Sequence, residues 1–309
     1  MAARHEFGMT LLRVGALTIP LLLAALCPVA QGGTLLVSTI SNTIREFSPT
    51  GQDLGIFASS GLSNPMGLAL DASGNLYVAN VAGGTIREFS PTGQDLGVFA
   101  SAGLHEPVAV AFDAAGYLYV SDISDNTIHK FSPTGQNLGV IASLLGVGCP
   151  DGLAANQFGD LMVADICSSV IREYSLTGQN LGIFASTGLS NPLGVAFDSS
   201  GNLYVSNTDN GGPFRNTIRE FSPTGQDLGT FASTGLHFPA GLAFDRSGNL
   251  YVVSEASDTI REFSPTGQDL GDFAVLPDQP RFLAVVPEPA TLGLLGIGLS
   301  GLGFSRRKQ

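Results

Sequence analysis

Four polar residues recur at nearly equal intervals along the chain, and their side chains carry the oxygen atoms that hard metal ions prefer. Each directly follows a short apolar segment, such as LYVA before the first of them; they are Asn80, Asp122, Asp165 and Asn207. Ser254 and Thr39 occupy the equivalent places in two further units. A ring of such oxygens suits Ca²⁺. An Asp or Asn at this place is equally suited to hydrogen-bond the backbone of the following turn.

Two cysteines, Cys149 and Cys167, form a second candidate site. When the repeated units are aligned, the two fall at the start of one strand and just beyond the end of the next strand in the same unit. Antiparallel pairing brings such positions together, so we predict a disulfide that closes a loop of about 19 residues. An exported protein permits this bond. The alternative is a metal-binding or nucleophilic thiol.

Departures from the repeat are the places where one specific binding surface is expected, because near-identical units are poor at building an asymmetric site. A five-residue insertion within residues 207–216 interrupts one unit. Its predicted binding-surface residues are Asp209, Asn210, Phe214 and Arg215. His129-Lys130 is another departure, and His105 and His237 are loop residues that we consider as further candidates. No catalytic residue is predicted, because the sequence has no phosphate loop, zinc-ligand spacing or hydrolase motif.

The elements that must position these residues are repeated. The stretch TIREFSPTGQDLG begins at Thr43, Thr85, Thr217 and Thr259, and altered copies begin at Thr127 and Val170. Successive copies are 42, 42, 43, 47 and 42 residues apart, and each unit has four apolar segments of strand length. This period is typical of a four-stranded propeller blade. We name the four strands of each unit a to d.

The turns and the chain ends predict how the units close. Turns such as SPTG and DASG join strands c to d and a to b, so they share one rim. The b–c and d–a loops form the opposite rim, which we call the upper rim. Six units fill residues 33–286; the first unit lacks strand a, and residues 280–285 supply it. We predict an all-β, six-bladed β-propeller closed by pairing of the C-terminal strand with the N-terminal blade.

The adjacent Arg and Glu of TIREF point to opposite faces of a strand. Neighbouring blades would then bring the Arg of one against the Glu of the next, which predicts a ring of ion pairs between blades. In the alternative, both side chains reach solvent, where such pairs contribute at most about 1 kcal/mol.

The two ends of the chain have the composition of targeting segments. Residues 1–32 contain an uncharged apolar stretch from Val14 to Ala30 and are predicted to be a signal peptide. Residues 287–309 contain Pro287, Glu288 and Pro289, then an apolar run, then Arg306 and Arg307. This order resembles the PEP-CTERM sorting signal of Gram-negative bacteria. The resemblance implies exosortase as a partner, and a C-terminal helix that tethers the chain transiently to the inner membrane before cleavage near the Pro-Glu-Pro.

The repeated units resemble a known family. The pattern P-x-G-L-A-x-D-x-x-G-N-L-Y-V-(A/S)-(D/N), followed by I-R-x-F-x-x-x-G, is similar to NHL repeats and extends over nearly all of residues 33–286. Tryptophan is absent, which excludes WD-type blades. The resemblance implies a six-bladed propeller. Relatives include interaction modules, lyases and, more distantly, gluconolactonase-type hydrolases that bind a divalent metal near the channel mouth.

Charge limits the partners. Residues 33–286 contain 24 acidic and 9 basic residues, so nucleic acid is not an expected partner. Uronic-acid polymers are repelled unless a divalent cation bridges them to the protein. We therefore expect an exported, non-enzymatic binding or scaffold propeller at the cell surface or in the exopolysaccharide matrix. Its expected partners are exopolysaccharide or a surface protein, and Ca²⁺ is the only cofactor considered. The alternative is a metal-dependent, gluconolactonase-like hydrolase or lyase that acts at the channel mouth.

Overall fold

The computed structural model describes residues 33–144, 148–208 and 215–287, and these residues contain 24 β-strands. In chain order the strands are β1 (Leu35–Thr39), β2 (Thr43–Phe47), β3 (Asp53–Ala58), β4 (Pro65–Leu70), β5 (Leu76–Asn80), β6 (Thr85–Phe89), β7 (Asp95–Ala100), β8 (Pro107–Phe112), β9 (Leu118–Asp122), β10 (Thr127–Phe131), β11 (Asn137–Ser143), β12 (Pro150–Ala155), β13 (Asp160–Asp165), β14 (Val170–Ser175), β15 (Asn180–Ala185), β16 (Pro192–Phe197), β17 (Leu203–Asn207), β18 (Thr217–Phe221), β19 (Asp227–Ala232), β20 (Pro239–Phe244), β21 (Leu250–Ser254), β22 (Thr259–Phe263), β23 (Asp269–Val275) and β24 (Pro280–Val285). Two short 3₁₀ helices, Val81–Gly83 and Glu255–Ser257, follow β5 and β21.

The strands form six antiparallel sheets of four strands each, which are the blades. Blade 1 contains β24, β1, β2 and β3, and blades 2 to 6 contain β4–β7, β8–β11, β12–β15, β16–β19 and β20–β23. The first strand of each blade contacts the first strands of both neighbouring blades, so the six a strands surround the axis and the d strands lie outermost. The prediction of an all-β, six-bladed propeller is confirmed.

Ring closure follows the prediction as well. β24 pairs with β1 in antiparallel register, with Leu35 opposite Val285 and Val37 opposite Leu283. The Ser38 hydroxyl adds a contact with the closing strand, because its Oγ accepts a hydrogen bond from the backbone N–H of Phe282 at 3.1 Å. The last strand of the chain therefore completes the first blade.

The hydrophobic core lies between blades. Each of the six interfaces has its own cluster of buried apolar side chains. Between blades 1 and 2, Leu36 and Ile44 pack in one cluster with Val78 and Phe89. The Ile and Phe of each TIREF strand are fully buried, whereas its Arg and Glu are mostly half-buried. Repetition of this stretch therefore gives successive blades the same pair of packing faces.

Arg and Glu in TIREF do not form the predicted ring of ion pairs between blades. Within the described residues, Arg87 pairs with Asp95, the first residue of strand d in its own blade, at 2.5 Å. Glu88 lies opposite Tyr77 in the register of the same blade and accepts a hydrogen bond from its hydroxyl at 2.9 Å. The prediction was wrong because each of these Arg residues pairs with an Asp of its own sheet.

In four blades the third residue of strand a is glycine, which lets the inner strands approach one another closely. A Cβ added at Gly67 would lie 2.6 Å from the carbonyl oxygen of Val108 in the next blade, and one at Gly241 would lie 2.6 Å from the Cα of Phe282. A Cβ at Gly194 would overlap the carbonyl oxygen of Ala240. Close packing around the axis thus depends on the missing side chain.

We therefore expect Gly194→Val to destabilise the ring by about 1–3 kcal/mol, the usual cost of overpacking a core. Thermal unfolding followed by circular dichroism measures the loss. Ala109 occupies the same position in blade 3, so Ala109→Gly is the control, expected to change stability by less. An unchanged midpoint in Gly194→Val would contradict this account of the axis.

Several predictions fall outside the described residues. These are the signal peptide over 1–32, the loop residues Asp209, Asn210 and Phe214, and the apolar helix and basic end of the tail. Of the described residues, none belongs to a helix long and apolar enough to cross a bilayer.

Candidate functional site

The Asn residues at the end of strand b join two loops of the upper rim. Asn80 Oδ1 accepts a hydrogen bond from Ser63 N, and its Nδ2 donates to the Gly61 carbonyl at 3.1 Å. Asn207 repeats this arrangement, since Oδ1 accepts from Ser190 N at 3.0 Å. Both side chains are buried, so their amides hold the d–a loop against the end of strand b.

The two Asp residues at this position also bind backbone. Asp122 accepts hydrogen bonds from His105 N at 2.6 Å and Glu106 N at 3.1 Å, and Asp165 accepts one from Cys149 N at 3.1 Å. In the described part of the chain, one group of side chains has the spacing of metal ligands, and it consists of His105, Asp122 and Asp125. Asp165 is not in this group. These contacts favour the loop-holding role, and Ca²⁺ binding by the four residues stays a prediction.

The disulfide between Cys149 and Cys167 is confirmed, with the two Cα atoms 5.3 Å apart. It joins the residue before β12 to the loop after β13, so it ties the d–a and b–c loops of blade 4 together on the upper rim. Asp165 accepts the Cys149 N–H beside it.

Replacing both cysteines with serine should lower the free energy of unfolding by about 3 kcal/mol, the chain-entropy value for a loop of this length. Denaturant unfolding of the oxidised protein and the double variant measures the difference. Reduction of the unmodified protein is the control and should produce a similar loss. A loss below about 0.5 kcal/mol in both would contradict the prediction.

The axial channel is narrow and mostly filled. Glycines and aliphatic residues of the a strands, together with Phe282, line a cavity of about 70 Å³ on the axis. Phe282 is the one aromatic residue at a position where the other blades have Gly or Ala. Little space is therefore left for a ligand within the channel.

Above this cavity, two charged residues interrupt an apolar ring, and a third charged residue pairs with one of them. The second residue of strand a is apolar in four blades, and three of these, Met66, Leu193 and Ala240, belong to one hydrophobic cluster. The other two blades have Asp151 and Arg281 at this position. Glu255, the first residue after β21, pairs with Arg281 at 3.4 Å. We call Asp151, Glu255 and Arg281 the axial cluster.

The axial cluster carries two buried carboxyl groups and one guanidinium group. Asp151 is 9% exposed, and its Oδ1 has no hydrogen-bond partner within the described residues. Burial and the nearby charge of Glu255 raise the pKa of Asp151 to about 7. Burial also raises the pKa of Glu255, although the Arg281 charge opposes the shift. Sequence reasoning missed all three residues; the signal available was a charged residue at a position where the aligned units are apolar.

The outermost strands present a second exposed surface, which is complete in blades 1 to 4. The second residue of each strand d is a leucine whose exposure is between 45% and 52%. Two positions later blades 1 to 4 have Ile or Val, which are 51–59% exposed. These residues are Leu54, Ile56, Leu96, Val98, Leu138, Val140, Leu181, Ile183, Leu228 and Leu270. We call each aliphatic pair, with the glycine between its members, an outer strip.

The glycine in each outer strip leaves the backbone open. Gly55 has φ +106°, and a Cβ placed there would meet no atom within 4 Å; the same holds at the five equivalent glycines. Strand d is also the free edge of its sheet. Repeated, exposed apolar surface is typical of interaction sites. Of the predicted insertion residues, only Arg215 is described, in the turn before β18.

Residues 285–308 match the PEP-CTERM protein-sorting motif, so the predicted sorting signal is confirmed. The match begins at the last residue of β24. The motif indicates an exported protein that undergoes exosortase processing at the membrane of a Gram-negative bacterium. No curated protein matches the chain in sequence.

Solved structures share the fold. A chain of the nidogen/laminin complex aligns with a TM-score of 0.71 at 18% identity, over 82% of this chain and 98% of that one. A protein of unknown function from Bacteroides caccae aligns with a TM-score of 0.66 at 16% identity, over 83% of this chain and 100% of that one. Likeness at this identity shows the fold alone, and membership of the NHL family stays a prediction.

Proposed function

We propose that this protein is a non-enzymatic scaffold that exosortase sorts to the cell surface or the exopolysaccharide matrix, where its outer strips bind neutral stretches of polysaccharide. The observation that carries the proposal is the recurrence of the outer strip in four successive blades, 1 to 4. A polymer with a repeating sugar unit presents the same face many times. A ring with many equivalent weak sites gains avidity from such a polymer without any strong individual site.

The chemistry of the outer strip supports a neutral sugar ligand. The C–H face of a pyranose ring packs on aliphatic side chains, and the open glycine between them leaves room for the ring to approach the backbone. The glycine N–H already donates to the side chain of the Asp or Asn that begins strand d, so contact with the sugar depends on the aliphatic side chains. The acidic surface disfavours polyuronates, because like charges repel.

The test uses variants that the fold already tolerates. Thr230 occupies the Ile/Val position of the outer strip in blade 5, so threonine is compatible with strand d. We expect a variant carrying Ile56→Thr, Val98→Thr, Val140→Thr and Ile183→Thr to bind neutral glucans, mannans or galactans at least about 10-fold more weakly. Stability should change by under about 0.5 kcal/mol per site, as for other exposed substitutions.

The matched control replaces four exposed threonines in the c–d turns of the same blades, Thr50, Thr92, Thr134 and Thr177, with alanine. This control should bind like the unmodified protein in a polysaccharide pull-down. Equal binding by the outer-strip variant, or turnover of a lactone by the unmodified protein, would overturn the proposal.

A further inference from the structure

Blade 3 departs from the other blades at three positions that lie around Asp122. The Arg of strand c is replaced by His129, and blades 2, 4 and 6 have Gly83, Ser168 and Ser257 where blade 3 has Asp125. His105 in the preceding d–a loop takes the position of a serine in blades 2 and 5. Only blade 3 therefore combines a histidine in the d–a loop with one carboxylate at the end of strand b and a second in the b–c loop.

The structure brings three of these side chains together. His105 Nδ1 lies 3.5 Å from Asp125 Oδ2, and one ligand atom each from His105, Asp122 and Asp125 lie within 4.8 Å of one another. Asp122 is fully buried and is held by backbone N–H donors from His105, Glu106 and Ser124. The His105 side chain is 65% exposed and has room to adjust.

In the part of the chain that the structure describes, the carboxylates of Asp122 and Asp125 have no arginine partner, whereas the equivalent carboxylate in blade 4 has one. There the equivalent carboxylate, Asp165, pairs with Arg172 at 2.8 Å. Within the described residues, no Lys or Arg pairs with Asp122 or Asp125. Lys130 points elsewhere, because its ammonium lies 4.4 Å from the centre of the Tyr117 ring. Among these described residues, no Lys or Arg side chain therefore competes with a metal ion for the two carboxylates.

His129 adds an independent observation. Its side chain is 3% exposed, and Nε2 lies 3.0 Å from Thr127 Oγ1, whose own hydrogen goes to Asp125 Oδ1 at 2.6 Å. Nε2–H is therefore the donor to Thr127, and Nδ1 keeps a lone pair. Within the described residues this Nδ1 has no partner, and it faces Gly103 in the loop that carries His105. Asp125 is thus held by a hydrogen-bond chain that begins at a buried imidazole.

We propose that the upper rim of blade 3 binds one divalent transition-metal ion, represented by Zn²⁺, through His105 Nδ1 and one oxygen each of Asp122 and Asp125. Mixed imidazole and carboxylate ligands suit Zn²⁺ rather than Ca²⁺, which prefers oxygen alone. Small movements of the exposed His105 bring the ligands to bond lengths of about 2.0–2.2 Å. His129 orients Asp125 through Thr127, as outer partners of metal ligands commonly do.

The chain offers an internal control in blade 6. His237 lies at the position of His105, but Ser254 and Ser257 replace the two carboxylates there. The exported protein is purified without a polyhistidine tag, treated with a chelator, and titrated with Zn²⁺ by calorimetry. We expect one site in the unmodified protein, at least about 10-fold weaker binding in His105→Ala and in Asp125→Asn, and unchanged binding in His237→Ala.

The variants separate metal binding from folding. His105 is exposed, so His105→Ala should keep the thermal midpoint of the chelated protein while losing the rise in midpoint that Zn²⁺ gives to the unmodified protein. Absence of Zn²⁺ binding in the unmodified protein would overturn the proposal. An equal loss of Zn²⁺ affinity in His105→Ala and His237→Ala would also overturn it, because any surface histidine would then bind the metal equally well.

Discussion

A chain that lacks residues 280–309 will not unfold cooperatively, whereas a chain that ends at Pro287 will unfold like the full protein. The shorter chain loses β24, whose Phe282, Leu283 and Ala284 are at most 9% exposed. Burial of each large apolar side chain contributes about 1.5–3 kcal/mol, so the loss approaches the 5–15 kcal/mol that stabilise a whole domain.

The comparison isolates the closing strand, because both truncated chains lack the sorting motif. Removal of β24 also exposes Leu35 and Val37 of β1, which are otherwise buried, and leaves a new free edge. Circular dichroism melts and size-exclusion chromatography give the readout. If the two truncated chains had midpoints within a few degrees of each other, ring closure would not be what stabilises the propeller.

Asp151→Asn will stabilise the protein at alkaline pH. The pKa of Asp151 is about 7 in the folded state and 3.8 as an ordinary carboxyl, so the folded state binds this proton more tightly than the unfolded chain does. Its contribution to stability is then fully present below about pH 4 and is lost as the pH rises towards 7. A shift of about three units corresponds to about 4 kcal/mol.

The amide in Asp151→Asn cannot ionise, so the variant should exceed the unmodified protein by up to about 4 kcal/mol at pH 8 and match it near pH 4. Denaturant unfolding at a series of pH values measures the difference. Glu106→Gln, at an exposed carboxyl, is the control and should leave the pH profile unchanged. A constant difference between Asp151→Asn and the unmodified protein at all pH values would contradict the assignment.

Repetition made the fold predictable from the sequence. Six copies of one unit indicated the strands, the turns and the blade count, and the missing first strand indicated the closing segment. Repetition did not reveal charge pairing, because the partner of each Arg depends on which residue of the hairpin lies closest. Strand d begins with Asp in four blades and with Asn137 and Asn180 in blades 3 and 4, the two blades whose b strands end in Asp122 and Asp165. In these two blades the carboxylate is therefore at the end of strand b instead of at the start of strand d.

The axial cluster could not be predicted from the repeats. Asp151, Glu255 and Arg281 come from three blades, and each occurs once, so no spacing connects them. Only the ring geometry places the second residues of all six a strands around one axis. The outer strips were visible in the repeated DLG stretch, but their exposure depends on strand d lying outermost, which is a property of the assembled sheet.

The pairing of β24 with β1 also sets a time order. An exported chain crosses the membrane from its N-terminus, so blades 2 to 6 reach the far side before the segment that completes blade 1. Until then β1 lacks its pairing partner β24, and the ring cannot close. The sorting motif begins at the last residue of β24, so it directly follows the segment that completes the ring. Cleavage near the Pro-Glu-Pro would therefore act on a chain whose ring is already able to close.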